Sequence, residues 1–486
     1  MTGHRCSIGL MFKFAAYLLL IGGGLLCLNE TKKQYNKKNK IISLKKDKGD
    51  NSPGRWAFYW QRTFPEITLN YEGYEKALMQ AKEARQCAKE LTTVNWELVG
   101  PTNIGGRVTD IEMHPTDTLT VYVGAASGGV FKSDDLGRSW LPVFDEQMSL
   151  SIGDIGLAPS NPKVIYVGTG EANAGGGSIT YDGVGVFKSV DGGNSWQHMQ
   201  LEKSRNIGRI AVHPTNENIV FVGAMGSLFA NNPERGVFRS KNGGEDWKQV
   251  LAVSDSTGCI DLAINRLYPD TVYAAMWERI RRPNERQYGG RSCGLYRSAN
   301  GGDSWVELTE GLPFYNKGRI GINVSQSHPH IVYAIYANEE GYFQGVYKSV
   351  NGGEKWKRVN DGALYDMYKS YGWWFGNIRV DPNNPNRVYA LGLDVFVSDD
   401  GGNSWRNCSA SANVHCDQHG MFIHPLNSNL IMLGNDGGVY ASASKAAYWT
   451  HRRGLPITQF YSCSVNARFP NVVYGGTQDN GIVRGA

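Results

Sequence analysis

No two of the eight cysteines in this 486-residue chain stand two residues apart, so a zinc ribbon built on CxxC pairs is excluded. Long apolar runs at helical period are scarce as well, which argues against an α-rich domain. A basic folded face is missing too. The net charge of +5 is concentrated in residues 31 to 48, TKKQYNKKNKIISLKKDK, which hold eight lysines and leave the rest near neutrality. Phosphate binding needs cations on the folded surface, so no nucleic-acid partner is expected. No cofactor is expected either. What the chain has is 60 glycines and 11% aromatics, the composition of many short strands joined by glycine turns.

Residues 8 to 28, IGLMFKFAAYLLLIGGGLLCL, are apolar apart from Lys13 and follow His4 and Arg5. They read as an export signal or a membrane anchor. The lysine run directly after them argues against a permanent span with the large domain exported. Leu26 stands where a lipoprotein signal wants a small residue before Cys27. The expected division is 1–28 signal peptide or anchor, 29–52 lysine-rich linker, 53–93 aromatic and helical lead-in, and 94–486 a single repeat domain. The expected location is exported, in the cell envelope or secreted, with membrane contact only through that anchor. Disulfides such as Cys408 with Cys416 are compatible with export, but spacing does not assign them.

The repeat is an octet. SDDLGRSW starts at residue 133, SVDGGNSW at 189, SKNGGEDW at 240, SANGGDSW at 298, SVNGGEKW at 349 and SDDGGNSW at 398, while SASKAAYW at 442 keeps only the serine and tryptophan. The period of about 50 residues is that of propeller blades. An Asp or Asn side-chain oxygen at the third position (Asp135, Asp191, Asn242, Asn300, Asn351, Asp400) can accept N–H groups of its own turn. The glycine supplies positive φ, and the tryptophan buries its ring below the turn and fixes it to its blade. Each octet follows a strand-turn-strand unit such as VTDIEMHPTDTLTVYVGA, and an eighth unit, VNARFPNVVYGG, has no octet after it. The fold expected is an all-β propeller of about eight four-stranded blades. Seven carry octets, and the eighth is closed between C-terminal strands and an N-terminal strand at WELVGP. A chain belonging to a longer, ten-bladed or double-propeller protein is the alternative.

The pattern S-x-D-x-G-x-x-W resembles the Asp-box repeat of sialidases, xyloglucan-cleaving glycoside hydrolases, sortilin-type receptors and a photosystem assembly factor. IGDIGLAPSNPKVIYVGTGEAN, GNDGGVY and GGTQDNG further resemble a group of bacterial exported propellers labelled sortilin-like or glycosyl-hydrolase-like. The first blade, NIGGRVTDIEMHPTDTLTVYVGAASGGVFK, is similar to that of the xyloglucan-cleaving enzymes. Their catalytic aspartate lies in a segment resembling R-T-D-I-G-G, and set against GAASGG it falls on Ala126.

In such a fold the octets occupy one face, and the loops between second and third strands occupy the other, where function collects. Candidate acids there are Glu171, Glu278, Asp436 and Asp479, catalytic if the protein is an enzyme. Candidate ligand-binding groups are Asn173, Arg279 and the rings of Trp277, Trp373 and Trp374, which either present a flat surface to sugar or pack the loops. His415, Asp417 and His419 in HCDQH alternate as on an extended strand. They could bind a divalent metal or work as acid and base, or simply satisfy one another. Glu339 and Glu340 lie on the same face. Arg107, Arg209 and Arg319 open inner strands, where salt bridges are expected rather than a carboxylate clamp. The leading expectation is an extracytoplasmic module binding glycan or peptide. The alternative is a glycoside hydrolase with relocated carboxylates.

Overall fold

The computed structural model describes residues 98–485 apart from 99, 174–179 and 283–284, the helix at 71–88, and scattered positions between 57 and 70. The signal or anchor at 1–28, the lysine linker and residues 94–97 lie outside the described residues. The chain divides into two compact units, Met1–Tyr71 and Glu72–Ala486. In the first, Trp60 packs edge-on against Phe64. No described helix is long and apolar enough to cross a membrane.

The second unit is a β-propeller. Its first blade pairs Val108–Met113, Val121–Ala125, Gly129–Ser133 and Leu141–Pro142 in antiparallel order, and six further four-stranded sheets repeat that order. The innermost strands begin at Val108, Ile152, Ile207, Thr257, Ile320, Asn377 and Gln418. Each packs beside the next, and the seventh packs back against the first. These strands are buried on both faces, which is why they read as apolar or small runs (IGDIGL is buried throughout) rather than alternating ones. Crowding at the axis demands glycine: a Cβ on Gly153 would stand 2.1 Å from the Ile207 carbonyl oxygen.

The expected closure of the eighth blade needs correction. The ring closes with seven blades, and the eighth sheet (Phe460–Val465, Val473–Thr477, Ile482–Gly485) has three strands. Its first strand is exposed along its whole length. No described residue between 98 and 107 adds a fourth strand. The physical reason is that blade one already meets blade seven: Gly105 and Gly106 lie so close to Gly437 and Ile457 that a Cβ on either would stand 2.0 Å from a carbonyl oxygen.

The octets are hairpin corners. In the second, Ser189 Oγ donates to Asp191 Oδ1 (2.7 Å) and accepts from Gly193 N (2.9 Å), while Ser195 N donates to Asp191 Oδ1 (2.9 Å). The Ser195 hydroxyl, 2.6 Å from Asp191 Oδ2, does most to hold the Asp191 carboxyl at about 2, with the Ser195 N–H and the Ser189 hydroxyl adding to it. Asn242, Asn300 and Asn351 accept the same backbone N–H through an amide oxygen. In the seventh octet a hydroxyl replaces the acid, Tyr448 N donating to Ser444 Oγ at 2.9 Å. The tryptophan does more than expected. Trp196, Trp247 and Trp449 donate Nε1–H to Val143, Met199 and Cys408 carbonyls, each in the preceding blade. These rings therefore tie a turn to its neighbour rather than to its own blade. Tyrosines do the same from the second strands, Tyr122 and Tyr273 donating at 2.9 Å to Gly192 and Gly352 of following octets.

A bulge one residue into most inner strands turns the next side chain into the channel. Arg209 Nη1 lies 2.7 Å from Asp154 and 3.6 Å from Asp110, and its Nε lies 2.9 Å from Asp261. Asp110, Asp154 and Asp261 also accept Ile155, Ile210 and Ile322 N–H from a neighbouring inner strand. This network stitches the ring and lines a cavity of about 220 Å³. The helix Tyr71–Ala88 joins the same unit through Glu75, 2.6 Å from Arg205, and Leu78, packed against the blade-two core.

Candidate functional site

Antiparallel order puts the loops after second strands at the end of each blade opposite the octets, beside the entry of the inner strands. On that face Glu171, Asp436 and Asp479 occupy matching places, just after Ile165–Thr169, Ile431–Asn435 and Val473–Thr477. The ring and the eighth sheet bring two of them together. Asp417, Asp436 and Asp479 offer carboxylate oxygens within 4.8 Å of one another. Asp417 and Asp479 sit on left-handed backbone, φ +70° and +58°, a conformation that L-residues other than glycine adopt at some cost.

His419 is the bulge residue of its strand, between Gln418 and Gly420, which aims its ring at the loop face. Its Nε2 lies 2.7 Å from Asp436 Oδ1, and the Trp374 indole Nε1 stands 3.2 Å from the same ring nitrogen. Trp374 in turn carries the Arg107 guanidinium 4.9 Å above its ring. Arg107 grips Glu171 with both arms, Nε to Oε1 at 2.8 Å and Nη2 to Oε2 at 3.1 Å, with both side chains about 99% buried.

The acids are displaced in opposite directions. Burial pushes the Asp436 carboxyl up, but attraction to His419 and Arg107 outweighs it and holds the group at about 2. Asp479 is pushed up to about 6, first by burial and then by its hydrogen bond to and repulsion from Asp436. Burial also raises Asp417. Asp436 Oδ2 is buried without an N–H or hydroxyl donor, and the Asp479 carboxyl stands beside the Asp436 side chain. Three carboxylates at this spacing need a cation or a proton among them.

The other expected residues fall elsewhere. Glu171 is locked to Arg107. Glu278 accepts Gln287 Nε2 and Ser292 Oγ, both at 2.6 Å, and stands outside the acid cluster. Trp277 and Arg279 are wholly buried, so neither presents a surface to a ligand: Trp277 donates to the Tyr288 carbonyl, and Arg279 stacks on Tyr288. Asn173 accepts from Arg319, which also donates to the Trp374 carbonyl. Trp373 is half-buried and stacks on Tyr288, centroids 5.3 Å apart. HCDQH does not act as one ligand set. Residues 415 to 417 precede the strand, Asp417 breaks the extended path, and the His415 ring bonds the carbonyls of Cys416 and Asp479. Cys408 and Cys416 are separate thiols. Composition and spacing missed the Asp436–Asp479 pairing, yet part of its signal was there: both acids fall in the loop just after the second strand of their repeats.

No family model matches the chain. Among curated proteins it is 23% identical over 353 residues to the xyloglucanase Xgh74A of Acetivibrio thermocellus, covering 64% of this chain and 39% of that protein. It is 22% identical over 373 residues to an oligoxyloglucan-reducing end-specific xyloglucanase of Emericella nidulans, covering 66% and 42%. The solved GH74 enzyme of Niastella koreensis superposes with TM-score 0.57 at 19% identity, covering 79% of this chain and 59% of the other. The GH74 xyloglucanase of Xanthomonas campestris gives 0.59 at 17%, covering 80% and 60%. The likeness establishes the fold alone. The chain spans about two fifths of the length of the curated relatives it matches.

Proposed function

We propose that the chain acts on a glycan as a glycoside hydrolase, with Asp479 as proton donor. The observation that carries this is the pair of adjacent carboxyls with opposed acidities, Asp479 at about 6 and Asp436 at about 2. A carboxyl that keeps its proton up to about pH 6 beside one held ionised is the arrangement that acid and base roles require. Asp479 gives its proton to the oxygen of the departing sugar. Asp417, half-buried within reach of the same space, is the carboxylate that meets the anomeric carbon, since oxygens within 4.8 Å leave no room for a water between acid and base. Asp436 keeps the acid protonated, and His419 and Trp374 hold Asp436 in place. The xyloglucanases among the relatives make xyloglucan the first substrate to test. The resemblance to exported propellers supports reading residues 1–28 as a signal or anchor and the protein as extracytoplasmic.

The test is reducing-sugar release from xyloglucan by the full chain and by Asp479→Asn. The variant is expected to lose at least about 10²-fold in rate while still binding the polysaccharide. An unchanged rate in Asp479→Asn removes the proposal. A second reading, binding without turnover, has Ala126 in its favour: where the xyloglucan-cleaving enzymes place an aspartate, this chain has a buried methyl group. Retention of xyloglucan by the wild type with no product at any pH would favour that reading.

A further inference from the structure

A second feature of the loop face lies away from the acids. Between blades four and five, Arg291, Tyr315, Asn316, Asn338, Glu339 and Glu340 line a pocket of about 360 Å³, within the size range of small-ligand sites. Its floor is rigid. Gly290 and Lys317 form a backbone bridge, and Asn338 Oδ1 accepts Glu340 N at 3.1 Å and Tyr342 N at 2.8 Å. Its polar groups are already oriented. Asn316 Nδ2 donates to Glu339 Oε2 at 2.6 Å and Asn338 Nδ2 to Glu340 Oε2 at 3.2 Å. Each bond engages one oxygen of an exposed carboxylate.

Aromatic rings flank these acceptors. Phe314 is 90% exposed and Tyr315 52% exposed, their centroids 5.4 Å apart and edge to face. Tyr342, two residues after the lining residue Glu340, is 51% exposed. Rings left open to solvent beside preset carboxylate, amide and guanidinium groups suit a ligand that has an apolar face and a rim of hydroxyls. A sugar ring is such a ligand. A phosphate would meet two carboxylates against one arginine.

The pocket is also joined to the acid site by packed rings. His419, bonded to Asp436, contacts Trp374; Trp374 contacts Trp373; Trp373 stacks on Tyr288 and touches Tyr371, which is 47% exposed. Gly341, in the pocket loop, lies against Trp373. We propose that this pocket is a distal carbohydrate subsite, which holds a neutral polysaccharide several residues from the bond that Asp479 protonates. The inference rests on the glycan reading above and adds a place and a set of contacts to it.

The experiment measures binding separately from turnover. Titration calorimetry of xyloglucan polymer, mixed-linkage β-glucan and xylan is run on full-chain Asp479→Asn and on the same chain carrying Tyr315→Ala or Asn316→Ala. Loss of the Tyr315 ring is expected to weaken binding of at least one polymer about tenfold, and Asn316→Ala to weaken it less. Short oligosaccharides that reach only the acid site should bind Tyr315→Ala and its parent alike. Thermal unfolding confirms that both variants fold, since Tyr315 is exposed. Equal polymer affinity in folded Tyr315→Ala and its parent overturns the subsite, as does absence of binding to all three polymers. Failure of Asp479→Asn to lose turnover would instead overturn the catalytic assignment, and polymer binding would still judge the pocket.

Discussion

At the scale of single residues the proposed hydrolysis turns on Asp479. Its carboxyl is raised from 3.8 to about 6, so the folded protein holds this proton more tightly than the unfolded chain does. Its contribution to stability is therefore present below 3.8 and lost as pH rises through about 6. Turnover that depends on the same proton should fall along an alkaline limb near that value. Asp436→Asn removes the negative neighbour while keeping the shape, so the Asp479 carboxyl should return toward its ordinary value and the limb move to lower pH. A pH–rate profile of the two proteins checks this, and an unmoved limb would mean that another group carries the proton. The individual acids were all legible as candidates in the sequence. Their partners were not, because Asp436 and Asp479 belong to different sheets and acquire opposed acidities only when a shared burial and an approach of a few ångströms couple them.

At the scale of the element, the octet turn depends on one acceptor oxygen rather than on charge. Asp191→Asn should leave thermal stability near that of the wild type, because Asn242, Asn300 and Asn351 make the same bond to backbone N–H. Asp191→Ala deletes the acceptor of Ser195 N and the partner of Ser189 and should lower the unfolding midpoint. Equal midpoints for the alanine and asparagine variants would deny the turn its role. This level was the most readable in the chain, since the octet is local and its hydrogen bonds close within four residues. The tryptophan was only half readable. Its burial follows from its type, but in Trp196, Trp247 and Trp449 the acceptor of the N–H comes from the preceding blade and has no fixed distance in the sequence, whereas Trp356 bonds Gly353 of its own turn. The bulge that turns His419 toward Asp436 was likewise hidden, because it depends on pairing with Ile431–Asn435.

At the scale of the whole molecule, the seam between blades one and seven decides the number of blades in the ring. Gly105→Ala would drive a Cβ to within 2.0 Å of the Gly437 carbonyl oxygen, which sits in the loop that carries Asp436. The variant should unfold at lower temperature and should also weaken xyloglucan turnover, because the same shift displaces Asp436. Differential scanning calorimetry and the hydrolysis assay read the two effects, and a wild-type midpoint would show that the seam is not close-packed in solution. The propeller, its blade repeat and the two opposite faces were determined by the sequence alone: octets, glycines and strand periods act over short distances and repeat seven times. Which inner strand meets which, how the ring closes without the eighth sheet, and which of the many loop acids become neighbours were decided only by the tertiary structure. Those outcomes depend on how curved sheets fill space around an axis, where a contact is set by the sum of all blade angles and by no one segment of the chain.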